Sequence, residues 1–202
     1  LTQYVLNRVT QQLAEWAAYL PSMLAPVQVN VSSVEVTQSE LTQTLADRLS
    51  STEFPENMLC MELTERAVFD HPEGASHIVE RLQSMGITVA IDDFGTGYSS
   101  LSYLRQFDAD QIKIDREFIR DVASNSESRE IVRTVSRLAE TLGMKGVAEA
   151  IERTCEIEGL RSFDIACGQG YYWWKPLPPD ELTDIEETTH EQSPAPRSTS
   201  AG

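Results

Sequence analysis

Positive charge is scarce in this chain of 202 residues: 16 Lys and Arg stand against 32 Asp and Glu, a formal net charge of −16. That balance excludes nucleic-acid backbones and anionic membrane surfaces as electrostatic partners. An anionic ligand stays within reach if metal ions first gather on the carboxylates. Cysteine is scarce too. Cys60, Cys155 and Cys167 show no metal-type spacing, and an odd count makes no disulfide framework, so the expected compartment is a reducing cytoplasm. No apolar run reaches ~18 residues, and neither a signal peptide nor a repeat is visible. What is present, 41% apolar and 24% charged residues, is the composition of a soluble globular protein with a core of its own.

The chain opens at Leu1 inside a helical pattern, and the expectation is a piece of something longer. Val5, Val9, Leu13, Trp16 and Leu20 form one helical stripe that Pro21 stops. Strand patterns follow at 27–32, 58–64, 87–93, 110–115, 146–150 and 163–171. Helical patterns lie between them: Leu41, Leu45 and Leu49; Ile78, Leu82 and Met85 up to Gly86; and a short piece at 101–107. A long helix carries Ile131, Val135, Leu138 and Leu142 and ends at Gly143, and "CEIEGL" is helical. Six strands alternating with helices predict βα units and a parallel sheet. The last residues, 180–202, read as an acidic segment and a disordered tail.

Residues two apart share a face of a strand. Leu59, Met61 and Leu63 therefore oppose Cys60, Glu62 and Thr64, and Val89 and Ile91 oppose Ala90 and Asp92. Ile112 and Ile114 oppose Gln111, Lys113 and Asp115 in the same way. Four strands each keep an apolar stripe for the helices and, late on the other face, one polar group: Asn30, Glu62, Asp92 or Lys113. Glu149 sits late in the fifth strand and Gln169 late in the sixth. Any one of them could be a satisfied structural group. Six in matching positions are the layout of a (β/α) barrel active site. An open doubly wound sheet would be apolar on both faces of its central strands, so the expected fold is a TIM-like barrel.

Asn30, Glu62, Asp92, Asp93 and Glu149 are an all-oxygen set, with His71 and His77 elsewhere, in or beside a helix. Such ligands favour Mg²⁺ or Mn²⁺ over zinc. The adjacent Asp92 and Asp93 could serve two neighbouring ions, the usual arrangement for phosphodiester cleavage by an in-line water. Lys113 would then stabilise phosphate charge, and a carboxylate could take the water's proton. The "GTGY" turn lacks the G-K-[ST] of a phosphate-binding loop.

The strings "VNVS", "MELTE", "IDDFGTGYSSLSYL", "QIKID", "AEAIE" and "GQGYYWWKPLP", in this order, resemble the EAL-domain phosphodiesterases of bacterial cyclic di-GMP signalling. The resemblance runs from about Val27 to Pro178. It implies Mg²⁺- or Mn²⁺-dependent hydrolysis of cyclic di-GMP to linear pGpG. By position, Asn30, Glu62, Asp92, Asp93 and Glu149 match metal-site residues, with Glu149 also a candidate general base. Lys113 matches a catalytic lysine near water and phosphate, and Gln169 a glutamine near the ligand. Glu65 matches a glutamate that holds the "DDFGTG" loop, and Asp115 and Glu152 are expected to support the ligands from behind. The resemblance further points to a homodimer through the loop from Asp92 to Ser100, and to an upstream sensory or GGDEF domain that could also anchor the parent chain.

Two departures stand out. The family's Glu-Ala-Leu segment is not among these residues, nor are the first two of eight barrel strands. Residues 1–179 are therefore expected to be the C-terminal portion of the domain, poorly active and marginally folded alone. Ala150 also stands where the family carries glycine. If that position needs a positive φ, alanine is strained there by roughly 1 kcal/mol. The alternative to an enzyme is a degenerate EAL domain that binds cyclic di-GMP or a protein partner without cleaving anything.

Overall fold

The computed structural model of the chain describes residues 2–19, 26–36, 40–49, 57–95, 104–105 and 107–181. The first helix, α1 (Thr2–Tyr19), forms where the apolar stripe predicts it. Its buried centre is Leu6, Thr10 and Leu13, while Val5, Val9 and Trp16 flank it, partly buried. The face is thus turned slightly from the predicted stripe. Thr10 can enter it because its hydroxyl donates to the Leu6 carbonyl at 2.8 Å, leaving no unmet polar atom.

Six strands follow: β1 (Val27–Val31), β2 (Leu59–Thr64), β3 (Thr88–Phe94), β4 (Gln111–Ile114), β5 (Lys145–Ala148) and β6 (Cys167–Gly168). They lie in sequence order in one sheet, and every neighbouring pair is parallel. Parallel neighbours need crossovers. These are α2 (Ser33–Val36) and α3 (Glu40–Leu49) after β1, and α4 (Glu65–Asp70) and α5 (Pro72–Gln83) after β2. Beyond β4 come α6 (Arg116–Arg120) and α7 (Ser126–Leu142), and beyond β5 comes α8 (Thr154–Leu160).

The apolar stripes of the strands bury against these helices as expected. Leu59, Met61 and Leu63 pack in one core with Leu6, Leu13, Leu45, Ile78 and Leu82. Ile112 and Ile114 pack in a second with Ile119, Val132, Val135 and Ala139. On α7 the buried line again differs from the largest residues: Ser136 and Ala139 sit at its centre, while Ile131, Leu138 and Leu142 flank it. Small side chains there let the helix approach the sheet, and Ser136 donates to the Asp164 carbonyl at 2.8 Å.

Three short helices, α2, α4 and α6, carry too few residues to show a period, so the sequence reading passed over them. Two of them are set by caps at strand ends. Thr64 accepts from the Ala67 N–H at 3.3 Å to start α4, and Asp115 accepts from the Glu117 N–H at 2.7 Å to start α6. Gly143 ends α7 with φ 74, as its position predicts. The strand expected over 163–171 is corrected to the two residues of β6. Its C-terminal side turns away because Gly170 presses against Ile151, where a Cβ would stand 2.1 Å from the carbonyl oxygen. Leu20, Pro21, most of the piece at 101–107, the loop at 96–100 and the tail from 182 lie outside the described residues.

Candidate active site at the carboxyl ends of the strands

Lys113 is the largest of the fully buried side chains, an ammonium sealed beneath the C-terminal end of the sheet. A buried charge is tolerable only when paired, and three carboxylates pair with this one. Its Nζ donates to Glu62 in a very short contact, lies 2.5 Å from Glu149 Oε1 and 3.3 Å from Asp92 Oδ1. The four residues come from β2, β3, β4 and the exit of β5. Register supplies part of this meeting: Ile91 pairs with Ile112, and Asp92 and Lys113 are the next residues of their strands. Glu62 pairs with Ala90 and Lys113 with Val147, so Asp92 lies two residues beyond the partner of Glu62 and Glu149 two beyond the partner of Lys113. Parallel strands tilted against one another bring such offset positions together.

Asp92, Asp93 and Glu149 can each place one carboxylate oxygen within 4.8 Å of the others. Asp93 reaches this group because β3 is irregular between Ile91 and Phe94, and Asp93 itself has φ 55. Aspartate is among the few non-glycine residues that accept this conformation, and its N–H is held by the Asp92 carboxylate at 3.0 Å. Gln169 donates from Nε2 to Glu149 Oε1 at 2.9 Å, so it orients the carboxylate from the β6 side.

One ammonium cannot neutralise this many acids. Burial pushes the Glu149 carboxyl up to about 7; Lys113 opposes the shift, and the nearby Asp92 and Glu62 charges add to it. Glu62 is raised for the same reasons. Asp93 is raised by burial, then by Asp92 and Asp115. Lys113 itself is held well above the usual lysine range: burial opposes its charge, but its bonds to Glu149 and Glu62 outweigh that. The cluster therefore carries an excess of negative charge over its own lysine. Its donors are all oxygen, which suits a hard divalent cation.

The remaining expected residues fall into place less uniformly. Asn30 is the register partner of Glu62 and is exposed. Glu65 is buried and accepts from the Gly95 N–H at 2.9 Å, bracing the turn that follows β3. Asp115 caps α6 and faces Asp93. Glu152 is exposed, and only its backbone N–H is bonded, to Glu156 at 2.8 Å. The sequence reading missed the wall beside the cluster. A cleft of about 520 Å³ begins at Glu149 and Gln169 and extends past Arg116, Glu152, Tyr171 and Trp174. The visible signal was the run "YYWW", four aromatics in a row just after Gln169.

Ala150, next to Glu149, has φ 49. The position does need the left-handed conformation, and alanine occupies it at a cost of roughly 1 kcal/mol.

Parallel βα architecture with catalytic-type groups gathered at the carboxyl ends of the strands defines an α/β protein of the TIM-barrel type. Comparison with known proteins narrows the class. The EAL domain model matches residues 1–176, and the chain belongs to the EAL-domain family. It is similar to the EAL domain of Mycobacterium smegmatis DcpA, with a TM-score of 0.85 and 31% identity, covering 93% of this chain and 84% of that one. It is also similar to the PaMucR phosphodiesterase solved as a c-di-GMP complex, with a TM-score of 0.81 and 32% identity over 89% of this chain and 72% of that one. Among curated proteins, the probable cyclic di-GMP phosphodiesterase PdeB of Escherichia coli is 33% identical over 182 residues, which is 90% of this chain and 34% of PdeB. The chain spans 23 to 34% of the length of the first curated relatives it matches. No helix among the described residues is long and apolar enough to cross a membrane.

Proposed function

We propose that this chain is the catalytic part of a cyclic di-GMP phosphodiesterase that opens one phosphodiester of the ring to give linear pGpG. The observation that carries the reading is the Lys113 cluster: a buried ammonium among Glu62, Asp92 and Glu149, with acid in excess. A receptor needs no charged lysine buried among the carboxylates that face the phosphate.

Asp92, Asp93 and Glu149 would hold a divalent cation, Mg²⁺ or Mn²⁺, with Glu62 and Asn30 as the further oxygen donors for a second. Such ions supply Lewis acidity toward a phosphodiester oxygen and an acidified water. Lys113 stays protonated at any working pH and places positive charge where the phosphorane-like transition state accumulates negative charge. Glu149, ionised when it faces the cation, can accept the proton of the attacking water. The water oxygen bonds to phosphorus as the P–O3′ bond breaks, and the leaving alkoxide takes up a proton, so one water is consumed per ring opened. Gln169 holds the Glu149 carboxylate toward the site throughout, and Glu65 keeps the turn after Asp93 in place.

The test is hydrolysis of cyclic di-GMP by the full-length protein, with and without Mg²⁺. We expect pGpG as product, loss of turnover in EDTA, and a fall of at least about 10²-fold in kcat for Glu149→Gln. Binding of cyclic di-GMP with no turnover at any metal concentration would instead establish the receptor.

A further inference from the structure

Arg153 stands where an arginine has no local reason to be. It is the N-cap residue of α8, a position that favours a short side chain with an acceptor oxygen. A guanidinium accepts nothing, and no side-chain bond from it caps the helix. Instead it bridges two elements. Its Nε donates to Glu156 Oε1 at 2.7 Å, and its Nη2 donates in a very short contact to the carbonyl of Arg120, at the end of α6. Glu156 is buried, and its other carboxylate oxygen takes the N–H groups of Glu152 and Arg153 at 2.8 and 2.9 Å. Residues 152–153 are thereby fixed to α8 and, through the guanidinium, to α6.

An Arg–Glu pair whose arginine is half exposed adds little to stability. Its value lies in what it joins. Three residues before Arg153 stands Ala150, left-handed with φ 49, and before that Glu149. A strained residue keeps its conformation only where its surroundings over-determine it. Ile151 supplies one restraint: its N–H donates to the Gln169 carbonyl and its carbonyl accepts from the Tyr172 N–H, both at 2.9 Å. Those bonds tie the exit of β5 to the segment after β6. The Arg153 bridge ties it the other way, toward β3. There α6 starts at Asp115, which faces Asp93, and the Phe118 ring of α6 lies against Gly95, where a Cβ would stand 2.9 Å from it. We propose that Arg153 is a positioning residue for Glu149: it clamps the strained exit of β5 to α6, and so fixes Glu149 relative to Asp92 and Asp93. The clamp rests on the metal-dependent reading above for what those three carboxylates hold. Arg153 matters because residue 150 is alanine. Glycine there would carry no strain and need no second restraint.

The experiment uses the full-length protein and reads Mn²⁺ binding, turnover and Tm. Free Mn²⁺ is followed by electron paramagnetic resonance, and sites lost in Asp93→Asn are counted as those of the cluster. Arg153→Thr removes the clamp but gives α8 a proper cap, so Tm changes little. Mn²⁺ affinity at the cluster falls about tenfold, the lower end of what support from behind a ligand supplies, and kcat falls with it. In the Ala150→Gly background the same exchange moves Mn²⁺ affinity less than about twofold, a coupling that independent losses do not show. Unchanged Mn²⁺ affinity in Arg153→Thr overturns the clamp and leaves the phosphodiesterase intact. So does an equal loss in the Ala150→Gly background, or a loss that only follows a collapse in Tm. If Mn²⁺ affinity responds as expected but no protein yields pGpG, the clamp stands and the enzymatic reading falls. A wild type that binds no Mn²⁺ at these residues removes both.

Discussion

Strands β3 and β5 leave the sheet in the same way and are finished differently. Near each exit stands a site carboxylate, Asp92 within β3 or Glu149 one residue past β5. A residue in the left-handed region follows at once, Asp93 with φ 55 or Ala150 with φ 49. At β3 the kink serves chemistry: it delivers a second carboxylate, and Glu65 latches the turn through the Gly95 N–H. At β5 the kinked residue has no polar atom beyond its backbone. The exit is held from outside, by Gly170 pressed against Ile151 and by the bonds of Ile151 to the segment after β6. One exit is stabilised by what its residue is, the other by what is packed over it.

The sharpest way to break the comparison is to add one methyl group at each brace. In Gly170→Ala the Cβ would lie 2.1 to 2.7 Å from Ile151 backbone atoms, which cannot swing aside. A loss of about 3 kcal/mol or more is expected, read as a large fall in the denaturant midpoint. In Gly95→Ala the nearest atom is the far edge of the Phe118 ring at 2.9 Å. That ring can give, so the cost reduces to the positive φ, about 1 kcal/mol. Equal losses in the two variants would show that both exits are held alike.

Proton binding separates the exits next. In metal-free protein, Glu149 titrates near 7 when folded, above its ordinary value near 4.5. The folded state therefore binds more protons across that window, and stability falls as pH rises from about 4.5 to 7. Thermal unfolding in EDTA between pH 5 and 8 should show this decline, and Glu149→Gln should flatten it. Mg²⁺ should reverse its sign, since a carboxylate must lose its proton to bind a cation. A profile in EDTA that rises through this window would contradict the assignment.

The smallest effect is the most specific to this chain. Ala150→Gly relieves the left-handed strain and is expected to stabilise by about 1 kcal/mol, raising Tm by several degrees. The same exchange at Asp93 would remove a carboxylate and gain little, because aspartate already accepts that backbone. No change in Tm for Ala150→Gly would mean that the surrounding segment relaxes in the wild type.

The contrast also marks how far the sequence alone could be read. Periodicity of two in residues 58–64 and 87–93 was enough to assign both the strands and their polar faces, because one face must meet helices and the other must not. Lys113, Glu62 and Asp92 could be grouped on that basis before any contact was known. The two-residue offset by which Glu149 meets Lys113 could not, since strand tilt is a property of the whole sheet. Short helices set by Thr64 and Asp115 were likewise hidden, one cap being a weaker signal than a period. The aromatic wall was legible as letters and silent as geometry: nothing in "YYWW" says that Tyr171 and Trp174 line the cleft beside Glu149.

Lys113 has one more consequence, and it concerns supply. Four acids converging at the mouth of a sheet would repel one another whenever cations ran short, and folding would then depend on ion availability. A resident ammonium ties Glu62, Asp92 and Glu149 together. On the metal-dependent reading proposed above, the protein would stay folded through ion scarcity while its turnover stopped, so ion supply would act on output rather than on the amount of protein.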